Sequence, residues 1–210
     1  MKNLIIIGAG GMGREVYHLA RECEGYGKQY EIKGFLDDNL NALYGFEYPY
    51  PPIIGTINDY QIKKDDVFAC SMGEVHTKVR VVEMIESRGG VFISLIHPNA
   101  PINETAIIGE GALVFHDVHV GSEVIIGKHV MLQSYAAIGH DVTIGDFTRI
   151  DPKVSVIGGV KVGNRVTLHT MCILNHKVTV GDDAVVGALS FVIRKVKQGI
   201  TVFGIPAKEI

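Results

Sequence analysis

Every sixth residue from Ile102 to Val192 is Ile, Val or Leu, sixteen positions in an unbroken series. Four residues after each stands a small or β-branched side chain, running from Ala106 through Thr148 and Cys172 to Val196. Glycine often follows the aliphatic position directly, at Gly109, Gly121, Gly127, Gly139, Gly145, Gly163, Gly181 and Gly187, where a corner with unusual backbone angles would favour it. A short repeat of this kind predicts a parallel β-helix, in which each coil buries its aliphatic columns against the coils above and below.

The first half of the chain follows a different rhythm. Apolar runs at Leu4 to Ile7, Ile32 to Leu36, Val67 to Cys70 and Val91 to Leu95 alternate with helix-like stretches at Met12 to Arg21 and Val75 to Ser87. This alternation predicts βαβ units around a short parallel sheet. The first turn reads GAGGMG, with Gly8, Gly10 and Gly13 in GxGxxG spacing between a strand and a helix, an arrangement that lets backbone N–H groups approach a diphosphate. Asp37 and Asp38 end the second strand, where carboxylates accept hydrogen bonds from ribose hydroxyls. Glycines at such a turn also serve tight packing alone, and Asp-Asp-Asn is ordinary turn composition. About 95 residues make barely half of a full doubly wound fold, which disfavours a nicotinamide dehydrogenase. The predicted organisation is therefore an α/β unit, a Rossmann-like βαβ domain over 1–97, followed by a β-helix and tail over 98–210.

Composition narrows the partners. The 210 residues are 47% apolar, enough for a real core, and their net charge of −3 is spread without a basic stripe, so nucleic acid is not an expected partner. Cys23, Cys70 and Cys172 form no CxxC pair and no cluster has metal-ligand spacing, so no metal is expected and reduced thiols in a cytoplasm fit best. The apolar run at the N-terminus is too short for a signal h-region or a membrane span.

Candidate chemistry lies with the histidines of the hexads. His116, His140 and His176 occupy the third position of their hexads, outside the core, as does Pro152. The sequence His-Asp-Val occurs twice, at His116 and at His140, and either histidine, beside its aspartate, offers a general base. Spacing alone does not choose between them. His119, His129, His169 and His176 read as corner residues, and Cys172 as an inward-packed thiol that does not react. Tyr135, Phe147 and Phe191 fall on non-core positions. A non-catalytic trimeric scaffold is the alternative of a different class.

The order of a glycine-turn domain, LIHPNA at the junction, uninterrupted hexads and GIPAKEI at the end resembles the sialic acid O-acetyltransferase and bacillosamine N-acetyltransferase family of hexapeptide-repeat sugar acyltransferases. The resemblance implies a left-handed β-helix with three hexads to a coil, a homotrimer, and transfer of an acetyl group from acetyl-CoA to a nucleotide-activated amino sugar in bacterial glycan biosynthesis, with O-acetylation of sialic acid as the alternative. It places the family's His-Asp/Glu motif on His140, the base, and Asp141, its acidic neighbour, within IGHDVTIGDF. It puts acetyl-CoA in a groove between adjacent subunits at Arg149, Thr170 and Ala188, with Arg149 standing where a histidine is frequent. The nucleotide sugar falls on Gly10, Gly11, Met12, Asp37, Asp38 and Gly73, with Met12 departing from a frequent histidine. A backbone N–H near Gly158-Gly159 is the candidate oxyanion donor.

Overall fold

The computed structural model describes residues 1–210, which form two compact units, Met1–Leu95 and Ile96–Ile210. In the first, β1 (Lys2–Ile7), β2 (Tyr30–Leu36), β3 (Ile53–Gly55) and β4 (Asp66–Cys70) make a parallel sheet in the order β3-β2-β1-β4. Leu4 to Ile7 of the central β1 are fully buried, as a strand covered on both faces requires. Helix α1 (Gly11–Glu22) buries Val16, Leu19 and Ala20, and α2 (Val75–Ser87) buries Val81, Val82 and Ile85. The Glu74 side chain caps α2 by accepting the N–H groups of His76 and Thr77, and its hydrogen bonding to Thr77 holds the carboxyl below the usual range. At the start of β4, burial raises the Asp66 pKa, but hydrogen bonds from Lys33, Tyr60 and the Lys63 amide outweigh it and hold the carboxyl below its usual range. The run Val91 to Leu95 is not the regular strand that its composition suggests. Only Phe92 bridges β4, at Phe68, and Val91 is exposed on this side, leaving just Leu95–Ile96 as strand.

The second unit is a parallel β-helix of two-residue strands on three faces. Face I carries Leu113–Val114, Met131–Leu132, Arg149–Ile150, Thr167–Leu168 and Val185–Val186, face II runs from His119–Val120 to Phe191–Val192, and face III from Ile107–Ile108 to Thr179–Val180. Strands pair in register with the residue 18 positions on, as Gln133 meets Asp151 and Asp146 meets Asn164. Aliphatic residues of all three faces close one continuous core. Polar Thr148 is accommodated there because its hydroxyl donates to the Gly163 carbonyl and accepts the Val166 N–H. No helix of the chain is long and apolar enough to cross a membrane.

The corner glycines have a different cause from the one that their position in the repeat suggests. None of those that follow the aliphatic residue has positive φ. They are there because successive coils nearly touch: a Cβ on Gly109 would lie 2.6 Å from the Gly127 carbonyl carbon, and one on Gly145 2.5 Å from that of Gly163. The left-handed residue comes two positions later, where twelve non-glycine residues have φ between 54° and 64°, among them Tyr135, Phe147, Met171 and Leu189. Large side chains hold this conformation because the ladders on either side fix it. The aspartates at this position, Asp117, Asp141 and Asp183, suit it better.

Face I ends in a reversal. Thr201–Gly204 continues the parallel ladder on Val185–Val186, and Ala207–Glu209 then turns back antiparallel across it. Gly145→Ala is expected to lose about 2–3 kcal/mol by forcing two coils apart. Lys153→Asn, at a strained exposed corner, is expected to gain up to about 1 kcal/mol. Denaturant unfolding of the two variants checks both signs.

Candidate active site

The residues expected to hold a nucleotide meet at one edge of the first sheet, outside the carboxyl ends of β1, β2 and β4. The strand order reverses between β1 and β4, the usual place for a ligand crevice in such sheets. The three glycines divide the work. Gly8 takes φ +95° for the turn, and a Cβ on Gly13 would collide with the Gly8 carbonyl oxygen, so these two are required by the fold. Nothing lies within 4 Å of the Cβ position of Gly10, which caps α1 without any side-chain hydrogen bond. Space and backbone N–H groups there are open to a ligand.

Asp37 and Asp38 carry structural duties as well. Asp37 accepts the Ala9 N–H at 2.7 Å and the Asn39 N–H at 2.8 Å, fastening the glycine turn to the end of β2, while Asp38 accepts the Ile57 N–H at 3.1 Å. Gly73 lies in the loop after β4, beyond Ser71, whose hydroxyl donates to the Ile7 carbonyl at 2.7 Å. Sequence reasoning passed over Arg14, whose guanidinium rests 3.9 Å over the Phe46 ring and comes 4.0 Å from the Cβ position of Gly11. Its place in the first turn of α1 was the available signal.

In the β-helix, both His-Asp-Val segments build the same pair. His116 Nδ1 is 2.9 Å from Asp117 and His140 Nδ1 is 2.6 Å from Asp141, each aspartate folding back from its left-handed corner. With Nδ1–H donating to the carboxylate, Nε2 presents its lone pair. What separates the two is the residue one coil later. Above His116 stand Ser134 and Tyr135, and the tyrosine ring packs edge-on against the imidazole at 5.3 Å. Above His140 stand Gly158 and Gly159. A Cβ on Gly158 would lie 2.5 Å from His140 Nε2, so glycine alone leaves that nitrogen accessible.

The same corner supplies a donor. Gly159 spends its N–H on the His140 carbonyl at 2.9 Å, whereas no acceptor in the chain takes the N–H of Gly158. On the other side His140 borders a hollow of about 530 Å³ floored by Val120 and lined by Asn103, His119 and Ser122. The hollow makes His119 a lining residue, where the sequence suggests only a corner.

Other candidates are placed more plainly. His97 accepts the Asn99 N–H at 3.0 Å in a turn. His129 is not a surface corner residue but is 1% exposed and stacked on Phe147, because the preceding coil offers only Gly111 beneath it. Burial, reinforced by nearby Asp151, pushes the Cys172 thiol up to about 12, which keeps it protonated and unreactive. Arg149 is no isolated surface cation, since it forks onto Asp151. Thr170 and Ala188 sit one coil apart on the edge between faces I and II, where the Leu189 N–H donates to the Thr170 carbonyl at 3.0 Å. No group of three or more His, Cys, Asp or Glu side chains is placed to hold a metal ion.

A β-helix with an imidazole–carboxylate pair under an open glycine corner, following a glycine-turn α/β unit, defines a hexapeptide-repeat sugar acetyltransferase. The chain belongs to that family: residues 3–85 match the PglD N-terminal domain, and residues 95–201, about half of the chain, match the GMPPB C-terminal domain. It is 28% identical over 165 residues to GDP-perosamine N-acetyltransferase of Escherichia coli O157:H7, covering 74% of this chain and 70% of that protein. It is 29% identical over 116 residues to UDP-N-acetylbacillosamine N-acetyltransferase of Bacillus subtilis, covering 54% of this chain and 51% of the relative. Among solved structures, the acetyltransferase domain of PglB from Neisseria gonorrhoeae in complex with acetyl coenzyme A superimposes with a TM-score of 0.89 at 29% identity, covering 100% of this chain and 99% of that one.

The roles of the glycines predict a split. Gly13→Ala should cost about 2–3 kcal/mol of stability, whereas Gly10→Ala should cost under about 1 kcal/mol and weaken binding of GDP or UDP at least tenfold. Thermal unfolding and calorimetric titration separate the two effects.

Proposed function

We propose that this protein transfers the acetyl group of acetyl-CoA to the amino group of a nucleotide-activated amino sugar. The observation that carries the reading is the His140–Asp141 pair facing Gly158. As the amine attacks the thioester carbonyl, its proton passes to His140 Nε2, and the carbonyl oxygen, now negative, is met by the Gly158 N–H. Collapse forms the C–N bond and breaks the C–S bond, and the imidazolium returns its proton to the departing CoA thiolate. Asp141 keeps Nδ1 protonated and steadies the imidazolium. The hollow beside His140 suits a sugar ring, with Asn103, His119 and Ser122 toward its hydroxyls.

The nucleotide belongs to the first unit, with the diphosphate at the open Gly10 and α1 N-terminus, Gly11 and Met12 beside it, and Arg14 within reach as a counter-charge. Asp37, Asp38 and Gly73 border the nucleoside. Acetyl-CoA follows Arg149, Thr170 and Ala188, on faces of the prism other than the His140 edge. One active site therefore draws His140 from one subunit and this surface from another, in a homotrimer. Exposed apolar side chains at Met171, Ile173 and Leu189, which nothing in the chain covers, support such an interface. The reaction is assigned to the cytoplasm, where acetyl-CoA is available and the three free, buried cysteines fit.

The deciding assay is thiol release from acetyl-CoA with GDP- and UDP-linked amino sugars beside free sialic acid. Turnover of one nucleotide amino sugar is expected, and turnover of sialic acid alone would move the acceptor to a hydroxyl. His140→Ala should lower kcat by about 10²–10⁴ with the fold intact, Gly158→Ala, whose Cβ displaces the His140 ring, by about 10², and His116→Ala should stay within about twofold of wild type. Equal losses at His116 and His140 would refute the choice of base.

A further inference from the structure

Asp151 lies on the outside of the coil, one residue beyond inward-facing Ile150, yet its side chain is only 5% exposed. Four nitrogens close on it from three successive coils. Gln133 Nε2 donates to Oδ1 at 2.8 Å, Arg149 donates from Nε to Oδ1 at 2.6 Å and from Nη2 to Oδ2 at 3.1 Å, and His169 Nδ1 stands 3.0 Å from Oδ2. Gln133, Asp151 and His169 are 18 residues apart in turn, a single column up the prism. A buried carboxylate held this way is a poor source of stability, because desolvation offsets most of its pairing energy. It is an effective way to fix the orientation of its partners.

His169 is the partner whose fixing has an outward consequence. With Nδ1 held at the carboxylate, the ring keeps its proton there and turns Nε2 outward as an acceptor. The ring is 40% exposed, and no group of the chain occupies Nε2. On the side away from Asp151 and Arg149 the flanking surface is apolar: Met171 is exposed two residues on, and Phe203, also exposed, folds over Gly187, the next residue in the His169 column. An outward acceptor flanked by two apolar side chains, contiguous with Thr170 and Ala188, complements a flexible chain of methylene segments broken by an amide N–H. The pantetheine arm has that chemistry.

We infer that His169 is an acetyl-CoA-binding residue that accepts a hydrogen bond from a pantetheine amide, and that Asp151 is the positioning residue that fixes its ring. The inference rests on the acetyltransfer reading above. It differs from the role of His140, whose carboxylate partner is exposed and whose ring faces an open backbone donor.

The experiment is steady-state kinetics of the full-length protein with both substrates varied, together with calorimetric titration of CoA. His169→Ala should raise KM for acetyl-CoA and Kd for CoA about five- to tenfold, the loss of one hydrogen bond, with kcat and the acceptor KM within twofold of wild type. Asp151→Asn should shift the same constants in the same direction, and His169→Gln, which retains an acceptor, should recover most of the affinity. If Asp151→Asn does not fold, exposed His169→Ala decides alone. An unchanged acetyl-CoA KM in His169→Ala, or a parallel loss in kcat and both KM values, overturns the inference while leaving the acetyltransfer reading in place. Failure of the wild-type protein to bind CoA would overturn both.

Discussion

The close approach of one coil to the next is the constraint on which the second unit depends. Each coil hands its N–H groups to the carbonyls of its neighbour 18 residues away, and the aliphatic columns fill the interior so evenly that no coil can slip. Slippage by a single residue would turn every inward side chain outward. That determination from both sides is what lets leucine, methionine and phenylalanine occupy left-handed corners, and what reserves the position after the aliphatic residue for glycine on the crowded edge. Function inherits the same lattice, since any two side chains one coil apart are neighbours.

The lattice explains what the sequence could and could not reveal. Period six was legible because burial enforces it at every coil, and the glycine turn was legible because its spacing has a backbone cause. The choice between His116 and His140 was not written in either motif, which are identical and build the same imidazole–aspartate pair. The difference between their surroundings lies 18 residues later, as Gly158 against Ser134 and Tyr135, and becomes readable only once the coil length is known. Asp151 and His169 stayed hidden for a different reason. Outward positions carry no periodic demand, so their residue types look arbitrary until columns are assembled. His129 misled because a corner position usually points to solvent, and only the empty space above Gly111 draws it in. In the first unit, the short and lopsided burial of Val91 to Leu95 left an apolar run without a full strand.

Two aspartates illustrate how environment assigns different work to similar pairs. Asp141 is exposed and holds one imidazole, whose other nitrogen faces an unclaimed N–H. Asp151 is enclosed by donors from three coils and leaves little freedom to anything it touches. The first arrangement tolerates a proton arriving and leaving at the ring, and the second favours a fixed outline. The glycine turn shows the same division on a smaller scale, where two glycines satisfy the fold and the third leaves a gap.

The reversal at the end of face I has a consequence for assembly. A parallel ladder that simply stopped would offer its last strand as a template for the first strand of another copy, a head-to-tail contact that does not close and grows into fibres. Ala207–Glu209 runs the opposite way and presents Lys208 and Glu209 along its length. A second solenoid arriving at this face meets the wrong strand direction and a charged rim, which works against head-to-tail stacking along face I.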